Sequence, residues 1–286
     1  MAEGKVDFTR LMGLAGGHAE ARAIQTALKL GFFDALESGA RDSEALAAAT
    51  HCEPRATMLL ANAMAALGLL RKDAGDYSLT DEAHRFLVKG SAEYLGGMIL
   101  FDEALWESWG KLDQSVRLGE PARIPDMYQS DPEETVRFIR AMDSLVRARG
   151  DAVWTARYLD LSRVQTLADL GGGPGTYLIE FLQHWPNLEG ILFDLPATLE
   201  ITRRILAERG AAVHQRLRLT ELDYKHSEIP GPLDVLFMSN IIHSEDEATN
   251  SALMTKCFRA LAPGGLLAIK DHVMDSGLTL PAAGAV

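Results

Sequence analysis

Apolar residues in the first third of the chain recur at helical spacing. Ala21, Ile24 and Leu28 share one face, and Ala56, Leu59, Leu60, Met64 and Leu67 form a second stripe, each following the 3.6-residue period of an amphipathic helix. Ser43, ahead of Glu44-Ala-Leu-Ala-Ala-Ala, stands where an N-cap is expected. The run from Leu69 to Lys72, a turn at Asp73-Ala-Gly-Asp and Tyr77-Ser-Leu read as a β-hairpin. Helices from Leu14 to about Leu87 with one hairpin predict an all-helical winged-helix domain over residues 1–92.

From Glu93 to Tyr158 the pattern is helical but rich in aromatics, with Phe101, Trp106, Trp109, Tyr128, Phe138 and Trp154, and it is broken around Pro121, Pro125 and Pro132. A helical connector with a lid is expected over 93–160. After Leu161 short apolar runs alternate with helical patterns: Val164–Leu170, Gly190–Phe193, Arg216–Leu219, Leu233–Met238 and Leu266–Ile269. That alternation predicts a parallel α/β sheet over 161–286. Leu236-Phe-Met is apolar throughout, as a strand covered on both faces should be, whereas Arg216-Leu-Arg-Leu alternates and is assigned to an edge.

Composition narrows the partners. The chain has 286 residues, 47% apolar, with 40 acidic residues against 28 Lys and Arg, for a formal charge of −12. The stripe helix from Glu53 to Leu70 carries Arg55 and no other basic residue before its end, so dimerisation fits it better than reading DNA. No stretch approaches eighteen uninterrupted apolar residues, and the two cysteines stand far apart without metal-ligand spacing. A cytoplasmic protein with reduced thiols and no nucleic-acid or membrane partner is expected.

Candidate chemistry is concentrated in Leu167-Ala-Asp-Leu-Gly-Gly-Gly-Pro-Gly-Thr-Tyr, a strand entering a glycine turn and then a helix near Thr176. Gly171, Gly173 and Gly175 permit close approach of a ligand, but the spacing is acid-x-G-x-G-x-G and not the dinucleotide fingerprint. Asp194 closes the next strand, where a carboxylate can accept both hydroxyls of a ribose. Asp223 and Tyr224 follow the third strand, where an acid can accept an adenine amino group and a ring can lie on the base. Three strand ends thus outline a nucleoside site. His243 stands just beyond the strand from Leu233, at the edge where ligands bind in such sheets, and the other seven histidines have no motif around them.

Asp169-Leu-Gly-Gly-Gly-Pro-Gly, Phe193-Asp-Leu-Pro, Leu222-Asp-Tyr, Phe237-Met-Ser-Asn-Ile-Ile-His-Ser and Leu261-Ala-Pro-Gly-Gly resemble, in order and spacing, the class I S-adenosylmethionine-dependent methyltransferases. Within them the chain is similar to the metal-independent small-molecule O-methyltransferases related to caffeate and hydroxyindole O-methyltransferases. The resemblance implies a Rossmann-like methyltransferase sheet behind a winged-helix dimerisation domain, a homodimer, and methyl transfer from S-adenosylmethionine to a hydroxyl of a small aromatic metabolite, of the kind made in secondary metabolism. It places the cofactor, and its product S-adenosylhomocysteine, at Asp169, Gly171, Gly173, Gly175, Asp194, Leu195, Asp223, Tyr224 and Ser239. His243 becomes the general base with Asp271 orienting it, and Phe101, Trp106, Phe138, Met142 and Asn240 face the acceptor. No metal is implied.

Two departures accompany the resemblance. The family commonly has His-Asp-Trp where this chain has His243-Ser-Glu. The family sheet has seven strands, and this sequence ends at Val286 shortly after the fifth, so a C-terminally truncated sheet with a bare apolar edge is expected. Two other readings share the fold: a non-catalytic S-adenosylmethionine-binding scaffold, and a relative that uses the cofactor in decarboxylation or hydroxylation.

Overall fold

The computed structural model describes residues 6–122 and 128–285, so Pro125 of the expected lid lies outside the described residues. Contacts divide the chain into two compact units, Met1–Pro125 with Arg147–Arg149, and Asp126–Val146 with Gly150–Val286.

The first unit contains α1 (Phe8–Lys29), α2 (Phe32–Ala35), α3 (Ser43–Thr50), α4 (Pro54–Ala66), the antiparallel pair β1 (Leu70–Asp73) and β2 (Asp76–Leu79), then α5 (Asp81–Leu87), α6 (Gly96–Ala104), α7 (Trp106–Trp109) and α8 (Leu112–Leu118). Two expectations shift by a few positions. The cap of α3 is Asp42, whose carboxylate accepts the Ala45 N–H, so Ser43 is the first helical residue. The stripe helix stops at Ala66 because Gly68 adopts φ +75° and Leu70 already pairs with Leu79 in the hairpin. Phe32, Phe33, Leu46, Met64 and Tyr77 fill the core.

In the second unit α9 (Pro132–Arg149) and α10 (Asp151–Tyr158) precede β3 (Thr166–Leu170), α11 (Thr176–His184), β4 (Glu189–Asp194), α12 (Pro196–Arg209), β5 (Leu217–Glu221), β6 (Leu233–Ser239), α13 (Glu247–Ala260), β7 (Leu261–Lys270) and α14 (Ala282–Ala285). The strand order is β5-β4-β3-β6-β7, all parallel. The third strand is an edge, as its alternation predicts. The fifth strand begins earlier than its apolar run, at Leu261, with a register shift as the pairing passes from Leu233 to Val235.

Strand alternation sorts side chains between two cores. Leu167, Val235 and Phe237 pack with Tyr177, Leu178 and Phe181, while Ala168, Leu170, Leu236 and Met238 pack with Leu253 and Cys257 on the other face. Each such burial contributes about 1.5–3 kcal/mol. Asp169 falls on the same face as Leu167, so the strand delivers a carboxyl group into an apolar layer. The chain reverses direction across the sheet between β3 and β6, the switch point beside which parallel sheets bind ligands.

Candidate active site

The turn after β3 is built by conformations that side chains avoid. Gly173 has φ +52°, and a Cβ there would find its nearest atom, Cδ1 of Ile139, at 4.0 Å, leaving room beside the backbone. Gly171 has φ +64°, and its missing Cβ makes space for Cδ1 of Ile241 at 2.5 Å. Asp194, at the end of β4, accepts the N–H of Gly173 at 2.8 Å and of Leu195 at 2.7 Å. The carboxylate expected to meet a ribose therefore also holds the glycine turn.

Asp169 is 1% exposed, and its Oδ2 has no hydrogen-bond partner. Burial, and then the charge of Asp194, push its carboxyl up to about 8. Burial raises Asp194 to about 6 against the opposing pull of its amide donors. Two acids share one low-dielectric region, each resisting ionisation. At the end of β6 the Ser239 hydroxyl oxygen is likewise buried without a partner. Asn240 follows at φ +56°, its N–H donating to the carbonyl of Lys270 at 2.9 Å.

The turn after β5 is tied on several sides. Asp223 accepts from the Lys225 N–H at 2.9 Å and stands 2.7 Å from Nδ1 of His226, which holds its carboxyl below the usual range. Tyr224 donates its hydroxyl to Oε1 of Glu245 at 2.7 Å, and Nζ of Lys225 reaches the same oxygen at 2.7 Å. Burial first, and Glu245 second, raise the Tyr224 phenol well above its ordinary value. Lys256 donates to the carbonyls of Tyr224 and Lys225. Glu245, in the position where the family has a ring, thus joins this turn to the His243 loop.

His243 lies in a short 3-10 turn, Ile242–Ser244, after β6, and its Nδ1 stands 2.7 Å from Oδ1 of Asp271 just past β7. The Asp271 side chain is 2% exposed and accepts two further N–H groups, from Ile242 at 3.0 Å and His272 at 2.7 Å. Burial alone would raise this acid, but the His272 amide, His243 and the Ile242 amide together hold it below its usual range. The His243 ring is partly open to solvent, and His272 meets it edge-on at 5.5 Å between ring centroids. With Nδ1–H donating to the buried Asp271 carboxylate, Nε2 would be the ring nitrogen left to accept a proton.

Phe138 and Met142 lie half-buried on α9, with Phe138 stacked on Tyr128 at 4.5 Å. Phe101 and Trp106 belong to the first unit, where Phe101 is buried and Trp106 is exposed under the guanidinium of Arg22 at 5.3 Å. For these two the acceptor role rests on the resemblance alone. Among the described residues no three His, Cys, Asp or Glu side chains are gathered to hold a metal ion, and no helix is long and apolar enough to cross a membrane.

The motifs did not mark Glu245 as a partner of Tyr224, nor the buried contact of Asp143 with Thr176 and Arg209. The first shows only as a departure from the family pattern, and the second spans positions with no local signal.

The family model for the O-methyltransferase domain matches residues 117–283. The chain belongs to the S-adenosylmethionine-dependent O-methyltransferases. Residues 12–89 of this O-methyltransferase match the family's dimerisation domain. It is 30% identical to 3-hydroxy-5-methyl-1-naphthoate 3-O-methyltransferase of Streptomyces sahachiroi, over 97% of this chain and 81% of that protein. It is 32% identical to acetylserotonin O-methyltransferase of Rattus norvegicus, over 95% of this chain and 64% of that protein, so it spans less than two thirds of the rat enzyme. Its fold is that of human N-acetylserotonin methyltransferase in complex with SAM, with a TM-score of 0.85 at 23% identity, covering 99% of this chain and 85% of the human one.

Proposed function

We propose that this O-methyltransferase methylates a hydroxyl of a small aromatic metabolite, with His243 as general base and Asp271 as the acid that orients it. The observation that carries this reading is the His243–Asp271 pair, 2.7 Å apart, standing on the same sheet edge as the glycine turn. The aromatic hydroxyl substrates in the names of the two relatives support the acceptor class.

The residues present fit S-adenosylmethionine. The orphaned Asp169 oxygen and Ser239 hydroxyl offer acceptors beside the turn, and the space at Gly173 admits a ligand against the backbone. Asp194, Leu195, Asp223 and Tyr224 would hold the nucleoside, and Gly171, Gly173 and Gly175 the chain beyond it. When bound, the cofactor supplies an electrophilic methyl group on a positively charged sulfur. With it bound, Nε2 of His243 would take the proton of the acceptor hydroxyl, and Asp271 would stabilise the resulting imidazolium. Free phenolate is not required, because proton transfer to a general base would accompany attack. The base contributes roughly 10² to 10⁴ in rate, and much of the remainder comes from alignment. Phe138, Met142 and Asn240 would face a flat acceptor, and the reading assigns no metal to the chemistry.

The N-terminal helices and hairpin are read as a winged-helix module that forms a homodimer. Phe8, Leu11, Met12 and Leu14 on α1, and Leu59 on α4, leave apolar side chains exposed for a second copy to cover. The free thiols of Cys52 and Cys257 accord with a cytoplasmic setting.

Calorimetric titration with S-adenosylmethionine, S-adenosylhomocysteine and a dinucleotide tests the cofactor. Saturable binding of the two adenosyl ligands near micromolar affinity, about −8 kcal/mol, with none of the dinucleotide, is expected. Binding of the dinucleotide alone would contradict the reading.

A further inference from the structure

A buried polar node joins the helix that carries the acceptor residues to the helices that follow both cofactor strands. Asp143 on α9 is 5% exposed and accepts the Thr176 hydroxyl at 2.5 Å while forming an ion pair with Arg209. Thr176 is the first residue of α11, directly after Gly175, and Arg209 is the last of α12, whose start follows Asp194. One turn earlier on the same face of α9, Cδ1 of Ile139 is the atom nearest the side-chain position that Gly173 leaves open, and Ile139 packs against Ile201 and Ile205 of α12. From α12, Thr202 donates its hydroxyl to the Gly173 carbonyl at 2.7 Å.

A buried ion pair is weak evidence of stability, because apolar side chains of similar volume serve as well or better. What a charged node adds is a fixed geometry: it tolerates few arrangements of its three elements. Phe138 and Met142 immediately precede Ile139 and Asp143, so any displacement of α9 relative to the glycine turn moves both.

We infer that Asp143 is a positioning residue that couples the cofactor site to the acceptor helix, so that filling the glycine turn rigidifies α9 and sets Phe138 and Met142. The inference rests on S-adenosylmethionine being the cofactor. It requires energetic coupling between two sites through one discrete element.

The test follows hydrogen exchange with and without saturating S-adenosylhomocysteine in the native chain, in Asp143→Asn, and in the double variant Asp143→Leu with Arg209→Leu. The double variant leaves no uncompensated buried charge, so it is expected to keep the fold where the single one does not. In the native chain the ligand is expected to slow exchange about tenfold in both 171–178 and 135–146. In the variants the slowing persists at 171–178 and is lost at 135–146. Equal slowing of 135–146 in native and variant chains would make the node merely structural and overturn the inference, as would a native chain protected only at 171–178. No heat of binding and no protection anywhere in the native chain would overturn the cofactor reading, and the coupling with it.

Discussion

Nδ1 of His243 and Oδ1 of Asp271 stand 2.7 Å apart, and the carboxylate that holds the ring is fixed in turn by the N–H groups of Ile242 and His272. Asp271→Asn keeps the shape but removes the negative charge that, in the proposed mechanism, would stabilise an imidazolium. Turnover is expected to fall roughly 10²-fold, within the range of general-base contributions, while S-adenosylhomocysteine affinity stays the same. Single-turnover rates with parallel calorimetry separate the two effects.

Asp169 and Asp194 make the ligand-free chain sensitive to pH. With folded values of about 8 and about 6, both lie above the unfolded carboxylate value near 3.9. The folded chain therefore binds more protons between about pH 4 and 8, and this pair's contribution to stability falls as pH rises through that window. Asp169→Asn removes the higher of the two ionisations. The variant is expected to gain stability relative to the native chain as pH rises from about 4 to 8, by up to about 5 kcal/mol at pH 8. Denaturant unfolding across that range measures it, and cofactor affinity should fall at least about tenfold in the same variant.

Glu245 braces Tyr224 and Lys225. Glu245→Gln keeps an acceptor for the phenol but drops the charge. The Tyr224 phenol should then titrate at lower pH, as seen in ultraviolet difference spectra, and S-adenosylhomocysteine should bind about tenfold more weakly. An unchanged spectrum would place Tyr224 outside the influence of Glu245.

Among the described residues β7 pairs on one side only, and Leu266 and Ile269 are 46% and 42% exposed. An unprotected apolar edge invites pairing with another chain. Concentration-dependent light scattering is expected, and Ile269→Lys should reduce it without altering the melting temperature by more than a few degrees.

Elements with strong local signals were legible in the sequence. Apolar runs bounded by turns located all five parallel strands, and the alternation of Arg216-Leu-Arg-Leu marked the edge, because burial on one face leaves period two in the chain. The glycine turn and the carboxylates at the strand ends were visible for the same reason: left-handed backbone demands glycine, and parallel strands end on one side. Side-chain partnerships were not legible. Asp143 meets Arg209 across 66 positions, and Asp194 turns back onto the Gly173 amide, contacts set by tertiary packing with no periodic trace. The N-cap at Asp42 was missed because Asp and Ser in succession both satisfy a cap, and only backbone geometry chooses between them.

The most direct measurement compares transfer of a deuterated methyl group from labelled S-adenosylmethionine to a panel of hydroxylated arenes by the native chain and by His243→Ala, with products read by mass spectrometry. The native chain should yield an O-methylated product, and the variant should bind S-adenosylhomocysteine equally well yet lose roughly 10² to 10⁴ in rate. Undiminished transfer by His243→Ala would contradict the proposed base, and cofactor binding by the native chain without transfer to any hydroxyl would contradict O-methylation itself.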